Sequence, residues 1–346
     1  MPQLLQRQGK EEDARNREVS PARSASWRDM SSPSRGGTDL RVRRGTRRSA
    51  TRPSASRRLR VAAVSAAVLC LVSGGAAPGA AAADARQIDI AYVPPKDPRH
   101  QPLYELLKRN RVLEKLQEFL GPFRLPRRVP LKVVGCDGVA NAFSGDGAVT
   151  VCYEYLDEIW ANVPKETTPE GIAPVDALVG PLVDVFLHEF GHVVFQLLDV
   201  PVFGREEDAA DQFSAYLMLH FGPDEARRLI AGAAYAFKGD LSSPQITLGL
   251  KEFSDSHGLP AERFYNLLCI AFGADANLFA GIVKKGYLPV ERAIGCEDEY
   301  RQLAHAFKRL IAPHIDEGLA RGVMARKWLP DVTVRPTPHP QAPGPK

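Results

Sequence analysis

Leu187-His188-Glu189-Phe190-Gly191-His192 lies in the middle of a long apolar run of the 346-residue chain. Residues 178–198 are apolar on nearly every side of a helix. Leu182, Val185, Phe186, Phe190, Val193, Val194 and Leu197 leave no continuous polar face, so the run predicts a buried helix with Pro181 tolerated near its start. Inside it, His188 and His192 stand four residues apart and share one face, with Glu189 beside them. Burying such groups costs roughly 2–7 kcal/mol each unless they are paired or bind a metal. The H-E-x-x-H spacing offers a way out of that cost: both imidazoles reach one zinc ion, and Glu189 reaches water held beside it. His188 and His192 are therefore candidate metal ligands, and Glu189 is the candidate catalytic base.

A catalytic zinc site needs a third protein ligand. Glu206-Glu207-Asp208 opens the next predicted helix, 206–221, after a short loop with Pro201 and Gly204. Glu206 and Asp208 compete for the position, but only Glu207 has an acid four residues on, Asp211, on the same face. Glu207 is the expected ligand. Asp211 is the expected acceptor for the free ring N–H of a ligating histidine. A third histidine in the H-E-x-x-H-x-x-G-x-x-H pattern is excluded, because Leu198 stands at its position.

The charge of the chain is uneven. Residues 1–60 hold 16 Lys/Arg against 6 Asp/Glu, while 61–346 hold 29 against 35. The first segment is rich in Arg, Ser, Pro and Gly and reads as disordered. After Arg57-Arg58-Leu59-Arg60, residues 61–73 are small and apolar, and 74–83 are rich in Gly and Ala. That order is a secretory signal, too short to span a bilayer comfortably; 61–85 are expected to be its apolar and cleavage region, with cleavage near Ala81–Ala83. Translation starts at Met1 or at Met30; the alternative to cleavage is an uncleaved anchor. The mature chain is expected to be secreted or periplasmic, with no stable membrane insertion. Few basic or aromatic clusters remain in it, which argues against a nucleic-acid partner.

Four cysteines stay after the signal: Cys136, Cys152, Cys269 and Cys296. An even number in an exported chain reads as disulfides. Of three possible pairings, Cys136–Cys152 with Cys269–Cys296 is expected, since each pair brackets a hairpin or a helix–loop–helix. Residues 87–93, 129–134 and 148–155 read as strands, the last two as antiparallel neighbours. The strand at 148–155 suits an edge that binds extended peptide backbone. Residues 104–120, 223–237, 261–272 and 297–315 carry helical periodicity. From Pro330 the chain is Pro-rich and reads as a disordered tail, so the folded domain is expected over 86–328.

The arrangement H-E-x-x-H, loop, E-x-x-x-D resembles the gluzincin metallopeptidases. More closely, the chain resembles a family of exported bacterial metallopeptidases. The resemblance is carried by His188-Glu189-Phe190-Gly191-His192, by Pro201-Val202-Phe203-Gly204-Arg205-Glu206-Glu207-Asp208-Ala209-Ala210-Asp211-Gln212, and by Arg263-Phe264-Tyr265-Asn266-Leu267-Leu268-Cys269. It implies zinc held by His188, His192 and Glu207, with Glu189 as catalytic acid and base. The family also carries an acid–His pair upstream of the last run; here Asp255-Ser256-His257 keeps both, with Ser between them.

The expected fold is α+β, a small antiparallel sheet packed on a mainly helical, zincin-like domain. The expected chemistry is hydrolysis of peptide bonds in a peptide or protein substrate by a metal-activated water. His257, Tyr265 and Tyr216 are candidates to stabilise the oxyanion. The alternative is a non-catalytic zinc-binding or scaffold protein that keeps the fold.

Overall fold

Val129, Leu131 and Val133 are fully buried and alternate with half-buried residues in strand β2 (Val129–Val134). This alternation is the period of a strand with one face on the core. The computed structural model describes residues 87–241 and 254–340; the basic segment, the signal segment and the last six residues of the tail lie outside the described residues. Four strands form one sheet in the order β1 (Ile88–Tyr92), β2, β4 (Val149–Cys152), β3 (Ala142–Phe143). β1 pairs with β2 and β2 with β4 in parallel; only β3 runs antiparallel, along β4.

The antiparallel sheet expected from sequence is therefore corrected to a mixed one. The pair expected to be antiparallel neighbours, β2 and β4, is parallel, because β3 lies between them in the chain and is itself the antiparallel partner of β4. Between β1 and β2, helices α1 (Gln101–Arg109) and α2 (Val112–Leu120) form a crossover. Parallel neighbours need such a long connection, and antiparallel ones do not. β4 is also not the edge. It lies between β2 and β3, and its four residues are buried. Pro130 is accommodated in β2 because pairing with β4 begins one residue later, at Leu131.

The expected helix over 104–120 is broken at Arg111, whose φ is 54°. Asn110 ends α1, with its side-chain Nδ2 donating to the Leu106 carbonyl at 2.8 Å. The break has a packing cause. Leu103 and Leu107 are buried on α1, and Leu113, Leu116, Phe119 and Leu120 on α2; on one continuous helix these sets would face different sides. The expected strand over 148–155 likewise stops at Cys152, and α3 (Tyr153–Ala161) follows, burying Tyr153, Leu156 and Trp160 at helical spacing.

α4 (Pro174–Leu197) is the spine of the domain. It is long and apolar enough to cross a membrane, but 83% of its apolar window is buried inside the protein, as befits a core helix. Pro181 sits inside it rather than at its first turn. A Cβ on Gly180 would stand 2.6 Å from the backbone at Gly232 and Ala233, so the bare glycine lets α6 (Pro223–Leu241) cross against α4. α5 (Glu206–Met218), α7 (Pro260–Ala274) and α10 (Cys296–Leu310) complete the helical part, with short α8 (Ala280–Lys284) and α9 (Val290–Ala293), and α11 (Glu317–Met324) after them. Disulfides join Cys136 to Cys152, at the ends of neighbouring parallel strands, and Cys269 on α7 to Cys296 on α10. Residues 325–340 carry no helix or strand, yet Trp160 Nε1 donates to Thr337 O at 2.8 Å and His339 Nε2 lies 2.9 Å from Asp157.

Candidate metal centre

The C-terminal half of α4 meets the first turns of α5 because Gly191 has no side chain. A Cβ there would come within 3.0 Å of the Phe213 ring and 3.5 Å of the Ala210 Cα. That approach brings the acids of α5 to the histidines of α4. Glu207 Oε2 lies 3.1 Å from His188 Nε2 and 3.3 Å from His192 Nε2, and the two Nε2 atoms are 3.2 Å apart. One ligand atom each from His188, His192 and Glu207 falls within 4.8 Å of the others, an arrangement compatible with a metal ion. Cys136, Cys152 and Glu154 also cluster, but their sulfurs are bonded to each other.

The outward ring nitrogens are held as well. His188 Nδ1 lies 2.8 Å from Asp211 Oδ1, and His192 Nδ1 lies 2.7 Å from Glu206 Oε1. Burial disfavours an ionised Asp211, but hydrogen bonds from His188 and Arg263 outweigh it and hold the carboxyl well below the usual range. An ionised carboxylate only accepts, so His188 Nδ1 carries the hydrogen and Nε2 faces inward. Glu206 fixes His192 in the same sense. Two inward Nε2 lone pairs and a carboxylate oxygen then converge, and acceptors at this distance repel unless a cation lies among them. A metal ion that accepts two imidazole nitrogens and a carboxylate oxygen would meet that need.

A proton meets it in the metal-free chain. Burial alone would lower the His188 pKa, but its bonds to Asp211 and Glu207 push it up to about 9. The His188 hydrogen bond is the main reason Glu207 is held down at about 2. Metal entry must displace that proton.

Glu189 is 7% exposed, and burial raises its pKa despite the pull of the two histidines. His257 stacks on His188 with ring centroids 5.8 Å apart, and its Nε2 lies 2.9 Å from Glu207 Oε2. Asp255 holds it, accepting from the His257 backbone N–H at 2.9 Å and lying 3.2 Å from Nδ1. The other two candidate donors are placed differently. Tyr216 is nine residues past Glu207, on the opposite side of α5, where it packs on Phe307, Tyr300 and His220. Tyr265 is half-exposed and sets its ring edge-on to Phe264.

Sequence reasoning gave Arg263 no role. It clamps Asp211 with both ends of its fork, Nε to Oδ2 at 2.8 Å and a terminal nitrogen to Oδ1 at 2.7 Å. Its guanidinium stacks 4.6 Å from the Phe237 ring. Arg263 and Asp211 are 52 residues apart, so no local pattern links them. The Arg-Phe-Tyr-Asn run was the available signal. Glu206, considered only as a rival ligand, holds the second histidine.

Two histidines and a glutamate gathered on a helix pair, each histidine tied behind by a carboxylate, make an arrangement compatible with a metal ion. Residues 92–311 match the family described as "Putative metallopeptidase" (DUF4344), and the chain belongs to that family. No curated protein and no solved structure matches the chain.

Proposed function

We propose that the protein is an exported zinc-dependent peptidase of the gluzincin type, with a zincin-like catalytic domain. The observation that carries this reading is the convergence of His188 Nε2, His192 Nε2 and Glu207 Oε2, with Glu189 buried beside them. His188, His192 and Glu207 would hold the ion, and Asp211 and Glu206 would orient the rings. When bound, zinc supplies Lewis acidity toward water and a carbonyl oxygen.

Glu189 takes the proton of the attacking water and hands it to the leaving amine. Its burial raises its pKa toward the range where a carboxylate is an effective base. His257, steadied by Asp255 and next to Glu207, is the donor best situated for the oxyanion. Tyr216 and Tyr265 have no such support. The short edge strand β3 contacts α4 and leaves one side of its backbone without a strand partner. An extended substrate segment would pair there, with the half-exposed Phe143 beside it. Two disulfides are compatible with an extracellular setting.

The test is metal content and hydrolysis of a mixed peptide substrate by the full chain, beside His188→Ala/His192→Ala and Glu189→Gln. About one zinc per chain, lost in the double variant, is expected. Glu189→Gln should keep the metal and lose at least about a hundredfold in rate. No metal in the folded wild type would overturn the reading. Bound metal with no hydrolysis would leave a zinc-binding scaffold instead.

A further inference from the structure

A cavity of about 280 Å³ lies on the N-terminal half of α4, against Leu178, Leu182 and Val183. Its other walls come from α1, α2 and α3, including Leu107 and Leu116. Its roof is the irregular C-terminal strap, with Trp328, Val334 and Thr337 among the lining residues. The strap has no strand partner. Side chains hold it: Glu225 accepts from the Trp328 and Leu329 N–H groups at 2.8 and 2.9 Å, and Arg228 donates to Pro330 O at 2.7 Å.

The polarity of the lining is one-sided. Three cations reach it, Arg109, Lys115 and Arg335, and no Asp or Glu does. Among the described residues none of these three side chains has a hydrogen bond or an ion pair, although residues 61–346 carry more acids than bases. An apolar chamber with three unpaired positive charges in its wall complements a molecule with an apolar tail and an anionic head. The volume is just under the usual range of about 300–1,000 Å³ for ligand sites, which limits the tail to medium length.

We propose that this chamber binds a single-chain carboxylate amphiphile, a medium-chain fatty acid, with its head at Arg109, Lys115 and Arg335 and its tail under the strap. The proposal does not depend on the metal centre or on peptidase activity.

Titration calorimetry of the full chain with octanoate, decanoate, decanol and decyltrimethylammonium, below their aggregation limits, tests it. Decanoate should bind saturably at one site. Each added methylene should tighten binding about fourfold, so decanoate exceeds octanoate by roughly tenfold or more. Decanol should bind more weakly, and the cationic amphiphile not measurably. The variant Arg109→Glu/Lys115→Glu/Arg335→Glu changes only side chains without partners and should stay folded. It should lose decanoate affinity at least tenfold while keeping decanol. Equal binding of all three ten-carbon heads, no saturable binding of decanoate, or decanoate affinity unchanged in the triple variant would each overturn the proposal.

Discussion

Asp211 receives three hydrogen bonds at the centre: His188 Nδ1 on one oxygen and both arms of the Arg263 fork. Its charge does two jobs, setting the tautomer of His188 and neutralising Arg263. Asp211→Asn keeps the shape and removes the charge. Metal affinity should fall about 10–100-fold, the usual cost of losing an outer partner of a ligating histidine, as read by competition with a chromogenic chelator. Unchanged affinity would mean that His188 is oriented by packing alone. Arg263→Ala acts on the fold. Behind Asp211 lies Asp184, which accepts from Ser214 Oγ at 2.6 Å and whose pKa is raised by burial and by the Asp211 charge. Without Arg263 Asp211 keeps only His188 as a partner and the repulsion between the two acids loses the cation that offsets it, so urea unfolding should show a loss of about 3 kcal/mol. Arg263→Lys keeps the charge but not the fork, so it should recover only part of this loss.

At the scale of elements, the site depends on how closely α5 approaches α4. Gly191→Val would drive methyl groups into the Phe213 ring, already 3.0 Å from a simple Cβ. The expected cost is about 1–3 kcal/mol, together with weaker metal binding as Glu207 is pushed away. A stability loss with metal affinity untouched would mean that α5 can shift without moving Glu207. A second element contact gives a pH dependence away from the metal centre. Glu154 on α3 accepts from the Cys136 and Gly138 N–H groups at 2.9–3.0 Å, clasping the loop after β2. Burial raises its pKa, but those bonds outweigh it and the net shift is downward. A lowered folded pKa means the contribution is complete above the ordinary carboxylate range and is lost as pH falls below it. Glu154→Gln should therefore destabilise the protein at neutral pH by about 1–2 kcal/mol and flatten its stability between pH 5 and 3. The α4 histidines and the acids of α5 could be singled out because each set is a short-range pattern of spacing, and the disulfide partners because the expected pairing is the local one, across 16 and 27 positions. Strand direction was not read correctly, although the helices between β1 and β2 carried the signal of a parallel crossover. The Arg263–Asp211 clamp was not read for a different reason: it is made by tertiary packing between α5 and α7, 52 residues apart, and the Arg-Phe-Tyr-Asn run marks Arg263 without naming its partner.

Across the whole molecule, the candidate metal ligands come from two helices that the chain joins by the eight-residue loop 198–205. α4 is the buried spine, and α5 lies between it and α7. A ligand that binds the native arrangement and not the unfolded chain stabilises the fold by mass action. With free zinc about a thousandfold above its dissociation constant, that amounts to about 4 kcal/mol. For a domain of this size each kcal/mol moves the melting temperature by about 2–4 °C, so metal removal should lower it by about 8–16 °C. Differential scanning fluorimetry of the full chain, before and after dialysis against chelator and again after zinc is restored, measures this. The control is His188→Ala/His192→Ala, which lacks two ligands and should melt at one temperature under all three conditions. If chelation lowered the melting temperature of the double variant equally, the stabilising ion would lie elsewhere. If it moved neither protein, the centre would hold its proton on His188 in place of a metal. The fall should also be reversible, because the disulfides Cys136–Cys152 and Cys269–Cys296 tie the sheet and the α7–α10 pair independently of the ion.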